Sequence, residues 1–428
     1  MQIFEYPDNA SWPALLQRPV MDTTALESNV AAILKEVQQQ GDAAVRKYAL
    51  QFDKVQLNEL QVTETEFAQA TAVLDPALKQ AILQAKQNIE TFHRAQQEAG
   101  KIIETMPGVH CWRKSLPIEK VGLYIPGGSA PLFSTILMLG VPAVIAGCKE
   151  IVLCTPSNAA GEVHPAILFA ARQVGIDRVF KIGGVQAIGA MAYGTATVPK
   201  VHKIFGPGNQ YVTCAKQLIN KDGIAIDMPA GPSEVAVLAD ESCVPAFVAA
   251  DLLSQAEHGP DSQVLLVTTS ADVIKQVQQE VAEQLAALPR RSIATQALEH
   301  SRLVLVKDMD IAMELLNAYA PEHLIIACKD DITLADGVVN AGSVFLGNYS
   351  PESAGDYASG TNHTLPTNGY ARAYSGVSLD SFVKKVTFQR LTQEGLQNIG
   401  NTIAVMAAAE GLDAHKRAVT IRLINNQK

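Results

Sequence analysis

Gln255 and His258 stand three residues apart at the end of the apolar stretch DLLSQAEHGP, where Gly259 and Pro260 stop a helix. At i and i+3 both side chains project from one face, so they could share a ligand. A metal held there would also lie near the negative end of the helix macrodipole. The same spacing suits an ordinary surface turn. In APEHL, Glu322 and His323 sit back to back between a helix and a strand, placed to approach one substrate from two sides. A His that titrates near neutrality can move a proton, and a Glu can orient or deprotonate water. A solvated turn would carry the same dipeptide. Two more pairs stand downstream: Asp356 with His363 in a polar stretch, and Glu410 with His415 near the end of the chain. Gly411 ends one helix there and Asp413 can cap the next, placing His415 in its first turn.

Signals for a cofactor are weaker. Neither GxGxxG nor GxxxxGK[ST] occurs, so a standard dinucleotide fingerprint and a P-loop are both missing. Three Gly-rich turns, IPGGSAP (125–131), IGGVQAIGA (182–190) and FGPGNQY (205–211), could each bring a helix N-terminus to a phosphate. Singly, each could also be only a tight turn. The six cysteines form no CxxC pair and lie largely in apolar runs, which predicts reduced, buried side chains.

These candidates need elements to hold them. Residues 24 to about 105 carry helical spacing. From 120 to 235, short apolar runs alternate with helices near 134–147, 164–174, 185–194 and 210–221. A second series, from EVAVLAD to SVFLGN, repeats that alternation. The pattern predicts an α/β fold of two doubly wound, incomplete Rossmann-like modules, the ligand crevice lying at the carboxyl ends of the strands. A polar connection of about thirty residues (347–377) is long enough to suggest a functional loop. The chain from 379, beginning LDSFVKKVTF, reads as a small helical tail. With 428 residues, 48% hydrophobic and 18% charged, several cores can be buried. A net charge of −9 argues against a nucleic-acid or anionic-membrane partner. No run of about 20 apolar residues and no secretory signal is visible, so a cytoplasmic protein is expected.

Taken together, VGLYIPGGSAPLFST, GGVQAIGA, FGPGN, GPSEV, LLSQAEHGPDSQV, APEHL, GDYASGTNHTLPT with GYAR, and EGLDAHKRAV follow the order seen in histidinol dehydrogenases, which the chain resembles over 120–428. That resemblance implies a zinc-dependent, NAD-linked enzyme of histidine biosynthesis. It would oxidise L-histidinol through a bound aldehyde to L-histidine, with two NAD+. It further implies zinc ligands at Gln255, His258, Asp356 and His415, one metal per subunit. His323 would be the general base, and Glu322 would activate water. Ser233 and Glu410 would bind substrate, together with His323 and the metal ligands. Tyr124, Gln186 and Asn209 would contact NAD. A homodimer would share its active sites between chains. The expected division is an arm (1–23), a main α/β domain (24–123 with 236–377), an NAD-binding domain (124–235) and a helical dimerisation tail (378–428). The competing reading is a zinc hydrolase with Glu322 as general base and no use for NAD.

Overall fold

The computed structural model describes residues 1–19, 24–127, 131–229 and 231–425, so part of the IPGGSAP turn and residues 20–23 of the arm lie outside the described residues. The chain opens with an edge strand, β1 (Gln2–Glu5). Helices Thr24–Gln40, Asp42–Tyr48, Glu64–Val73 and Pro76–Arg94 follow. Their starts are written locally. Thr63 and Glu66 form a reciprocal capping box, and Asp75 caps the helix that Pro76 begins.

Next come β2 (Ile103–Met106), β3 (Val109–Pro117), β4 (Lys120–Tyr124), β5 (Glu150–Cys154), β6 (Arg178–Phe180), β7 (Lys203–Phe205) and β8 (Ala225–Ile226). The second module holds β9 (Glu234–Ala239), β10 (Gln263–Thr268), β11 (Arg302–Leu305), β12 (His323–Ala327) and β13 (Ser343–Leu346), and β14 is Val383–Leu391.

Two parallel sheets carry the molecule. One runs β6-β5-β4-β7-β8 and the other β1-β11-β10-β9-β12-β13. Apart from the added β1, both have the order 3-2-1-4-5, so each is doubly wound with a switch point beside its first strand. The central strands of the second sheet, β9, β10 and β12, are buried along both faces, as EVAVLA and QVLLVT require.

The helices of 24–94 pack on the first sheet, not on the second as the expected grouping of 24–123 with 236–377 had it. Val30, Leu34 and Val45 meet Phe180 and Ile188 on one face of that sheet; Phe67, Ile82 and Ile89 meet Leu123 and Leu137 on the other. The cause is simple: a sheet apolar on both faces exposes more surface than its own crossover helices cover, and these amphipathic helices supply the rest.

Two further expectations are corrected. The helical region ends at Arg94 and gives way to β2, and LDSFVKKVTF is not a helix. Residues Leu379–Phe382 form a 3-10 turn, then β14 pairs antiparallel with β3 in the sheet β14-β3-β2. Val386, Thr387 and Phe388 favour a pleated surface. Phe388 lies opposite Trp112, with ring centroids 5.6 Å apart and planes 12° from parallel. Helices Gln393–Ala409 and Asp413–Asn425 then form the tail. Among the described residues all six cysteines are free, and no helix is long and apolar enough to cross a membrane.

Candidate active site

The Gly-rich turns meet at the carboxyl ends of the first sheet, around a cleft of about 1560 Å3 lined by Asp53, Tyr124, Gly127, Gln186 and Asn209, among others. That volume exceeds the 300–1,000 Å3 typical of small-molecule sites and suits an extended ligand. Tyr124, at the end of β4, accepts a hydrogen bond from the Gly184 N–H at 3.0 Å, which fixes the start of helix Gly184–Tyr193. Gln186 is buried in that helix; its Nε2 reaches Asp53 Oδ2 at 3.5 Å, while its Oε1 has no partner. Asp53 ends a short π-helical stretch, Ala49–Asp53, a distortion that recurs at functional sites. Asn209 caps helix Gln210–Lys221 through the N–H groups of Tyr211 and Val212. The structure thus gathers Tyr124, Gln186 and Asn209 on one cleft.

The second group forms at the amino ends of the second sheet, opposite to the crevice expected from strand order. Helix Pro245–Ala256 runs back against the strands, so its last turn arrives where β9 and β12 begin. Gln255 is buried in that turn. His258 lies two residues beyond the helix, on the open side, with its N–H bonded to the Gln255 carbonyl. Glu322 (6% exposed) and His323 (4% exposed) open β12. Glu322 Oε2 accepts from the Glu234 N–H at 3.0 Å and from Gln255 Nε2 at 3.4 Å. His323 Nδ1 faces the Glu234 carbonyl at 3.3 Å. A carbonyl only accepts, so Nδ1 carries a hydrogen there, and Nε2 is the nitrogen that gains or gives up the second proton. That nitrogen has no hydrogen-bond partner and faces Asp356 Oδ1 at 3.6 Å.

Charge in this pocket is unbalanced. Glu352, absent from the sequence-based set, is fully buried, with Oε1 4.0 Å from His323 Nδ1 and Oε2 unpartnered. Burial pushes Glu322 up to about 7. Burial would lower His323, but Glu352, Glu322 and Asp356 overcome it and raise the imidazole to about 10. Buried carboxylates gathered around one imidazole call for a further cation. His258, Glu352 and Asp356 can supply one with ligands, their donor atoms lying within 4.8 Å of one another. Gln255 Oε1 is also buried without a partner, a ready fourth donor. His and oxygen donors suit zinc.

His363 ties the two regions together. Its Nδ1 donates to the Asp356 carbonyl at 2.8 Å, so its Nε2 accepts from the Thr135 hydroxyl at 3.0 Å. Thr135 lies in the first turn of helix Phe133–Ala146, just after the Gly-rich turn of the cofactor cleft. Ser233 lies beside Glu234 in a shallow depression next to Arg18. Glu410 and His415 are not brought to this pocket: both are exposed at the junction of the tail helices.

The comparisons agree with one another. The histidinol dehydrogenase family matches residues 16–423. Histidinol dehydrogenase from Bacteroides thetaiotaomicron is 62% identical over 99% of both chains. That from Yersinia pestis is 54% identical over 96% of this chain and 94% of its own. A crystal structure of histidinol dehydrogenase from Elizabethkingia anophelis superposes with a TM-score of 0.99 at 54% identity, covering 100% of this chain and 99% of that one.

Proposed function

The chain belongs to the histidinol dehydrogenase family, and we propose on that premise that the pocket of Glu322 and His323 carries the four-electron oxidation of L-histidinol to L-histidine. It is an NAD-dependent oxidoreductase of histidine biosynthesis. What carries the assignment of the pocket is one arrangement: a free, buried His323 Nε2 beside buried carboxylates and a set of donors able to hold a cation.

Once the carboxylate charge that raises His323 to about 10 is offset, its Nε2 is unprotonated and takes the alcohol proton as hydride leaves, acting again in the second oxidation. Glu322 receives a proton from the water that adds to the aldehyde; burial keeps its pKa near 7, where a carboxylate is a stronger base than usual. Zinc, when bound, anchors the substrate's nitrogens and offsets the carboxylate charge around His323. Gln255, His258 and Asp356 would hold it, with His415 completing the set, and Ser233 and Glu410 would contact the substrate. Tyr124, Gln186 and Asn209 would hold NAD in the large cleft. Retention of the aldehyde in one place leaves the cofactor place free to exchange between the two oxidations.

Glu410 and His415 lie exposed outside the pocket of their own chain, which supports a homodimer in which the tail of a second copy completes each site. The cytoplasm is the compartment this reading implies. The domain roles follow the same line: the module around the first sheet binds NAD, the second carries the chemistry, and the tail with β14 joins the two copies.

The test is stoichiometric. Absorbance at 340 nm should report two NADH per histidinol, the rate falling on chelation and returning with zinc. Consumption of an ester or amide substrate without NADH would instead support a hydrolase with Glu322 as base.

A further inference from the structure

We propose that Arg18, in the N-terminal arm, is a positioning residue for Glu322 and His323: one guanidinium clamps together the two segments that present them. The inference rests on the reading of that pair as the acting groups.

Arg18 Nε meets Glu234 Oε2 at 2.6 Å, and its terminal nitrogen donates to the Tyr319 carbonyl at 2.8 Å and the Ala320 carbonyl at 3.4 Å. The guanidinium carbon lies 4.0 Å from the centre of the Tyr319 ring. Each contact leads to the acting pair. Glu234 is buried at the start of β9; its N–H holds Glu322 Oε2, and its carbonyl faces His323 Nδ1. Tyr319 and Ala320 lead through Pro321 directly into Glu322, and Ala320 turns the chain with a φ of 54°. The second oxygen of Glu234 accepts the Asn368 N–H from the polar loop, so its carboxylate is held from two sides.

The fork explains the residue type. Arginine presents several donors in a fixed plane and stacks on an aromatic ring while pairing with a carboxylate. A lysine ammonium in the same place would reach the carboxylate or the carbonyls but would not bind both and stack. Without the clamp, an unpaired carboxylate at Glu234 would remain buried, and the backbone beside it would shift to reach water. The zinc donors His258 and Asp356 do not touch Arg18. Loosening should therefore slow proton transfer while substrate and metal stay bound.

The experiment compares zinc-loaded Arg18→Ala, Arg18→Lys, Glu234→Gln, the double variant Arg18→Ala/Glu234→Gln, and His323→Asn as a reference. Arg18→Ala should fold and keep its zinc content, and any rise in its KM for histidinol, passed through Ser233 beside Glu234, should be smaller than its loss of kcat. Its kcat should fall at least about tenfold, as expected for misplacement by a fraction of an ångström. Methylguanidinium should restore part of that rate, and Arg18→Lys should fall between wild type and Arg18→Ala. The double variant should be no slower than Arg18→Ala, since both changes break one pair. Wild-type kcat in a folded Arg18→Ala protein, with His323→Asn inactive, would overturn the positioning role alone. So would a loss of rate that follows loss of folded protein or zinc and does not respond to methylguanidinium. Full activity in His323→Asn would instead remove the reading on which the inference stands.

Discussion

His323 and Glu322 are adjacent in sequence, yet their surroundings give them different work. His323→Asn should abolish alcohol oxidation, by a factor of about 10²–10⁴, with zinc content unchanged, because Nε2 acts as a base and not as a ligand. Metal analysis beside single-turnover rates checks this; loss of zinc would mean that the imidazole is a ligand. Glu322→Gln should slow the aldehyde-to-acid half more than the first hydride step; equal slowing of both would remove the division of roles. Glu352 is the residue that sequence reasoning missed. PES looked like any polar turn, and only the fold aims this carboxylate at His258 and Asp356. Glu352→Gln should weaken zinc retention about 10–100-fold, read by competition with a chelator. Asp251, one turn before Gln255, offers a test of buried charge. Burial raises its pKa to about 7, against about 3.9 in an unfolded chain. Its folded form binds the proton more tightly, so the cost of burial is absent below about pH 4, grows up to pH 7 and is constant above. Asp251→Asn should therefore stabilise the metal-free protein by about 2–4 kcal/mol at pH 8 and much less at pH 4.5, measured by urea unfolding.

Between the strands and the chemistry stand the turns, and here the sequence was legible in proportion to how local the signal was. The helices from 133 to 221 could be placed to within a residue or two, because caps, Gly stops and alternation with apolar strands are all written nearby. The second module repeats the order of the first, which the repeated strand–helix rhythm implied. What could not be read was set by pairing at long range. The strand character of VKKVTF depends on its contact with β3, some 270 residues earlier, and lysines at 384 and 385 masked its alternation. The amino-end location of the chemistry also escaped notice, since it requires knowing that helix Pro245–Ala256 delivers its C-terminus there. The Gly-rich turn FGPGN could be recognised, but its necessity is geometric. Gly206 has a φ of 125°, and a Cβ there would come 2.0 Å from the Tyr124 carbonyl. Gly206→Ala should displace the turn or Tyr124, raise KM for NAD at least about tenfold and destabilise the fold by about 2 kcal/mol or more. Cofactor titration and thermal unfolding would show it; unchanged KM would separate this turn from the cofactor cleft.

At the scale of the whole molecule, the residues proposed to share one site fall into two groups in one chain's fold: His258 and Asp356 meet in the pocket that Gln255 also lines, while Glu410 and His415 stand exposed on the tail. The tail also exposes Val405, Met406, Leu412, Ile421 and Ile424, an apolar surface expected to find cover in an assembly. A metal that bridges two chains couples folding, dimerisation and zinc affinity, since whatever binds only the assembled state stabilises it. Complementation tests this directly. His258→Ala and His415→Ala homodimers should each be nearly inactive, because every site lacks one ligand. Co-refolded with different tags, they should form heterodimers in which one site carries both lesions and the other none. Activity should then return toward half of wild type per heterodimer, with one tightly held zinc in place of two. Heterodimers that form, retain their fold and stay inactive would show that all four ligands belong to one chain.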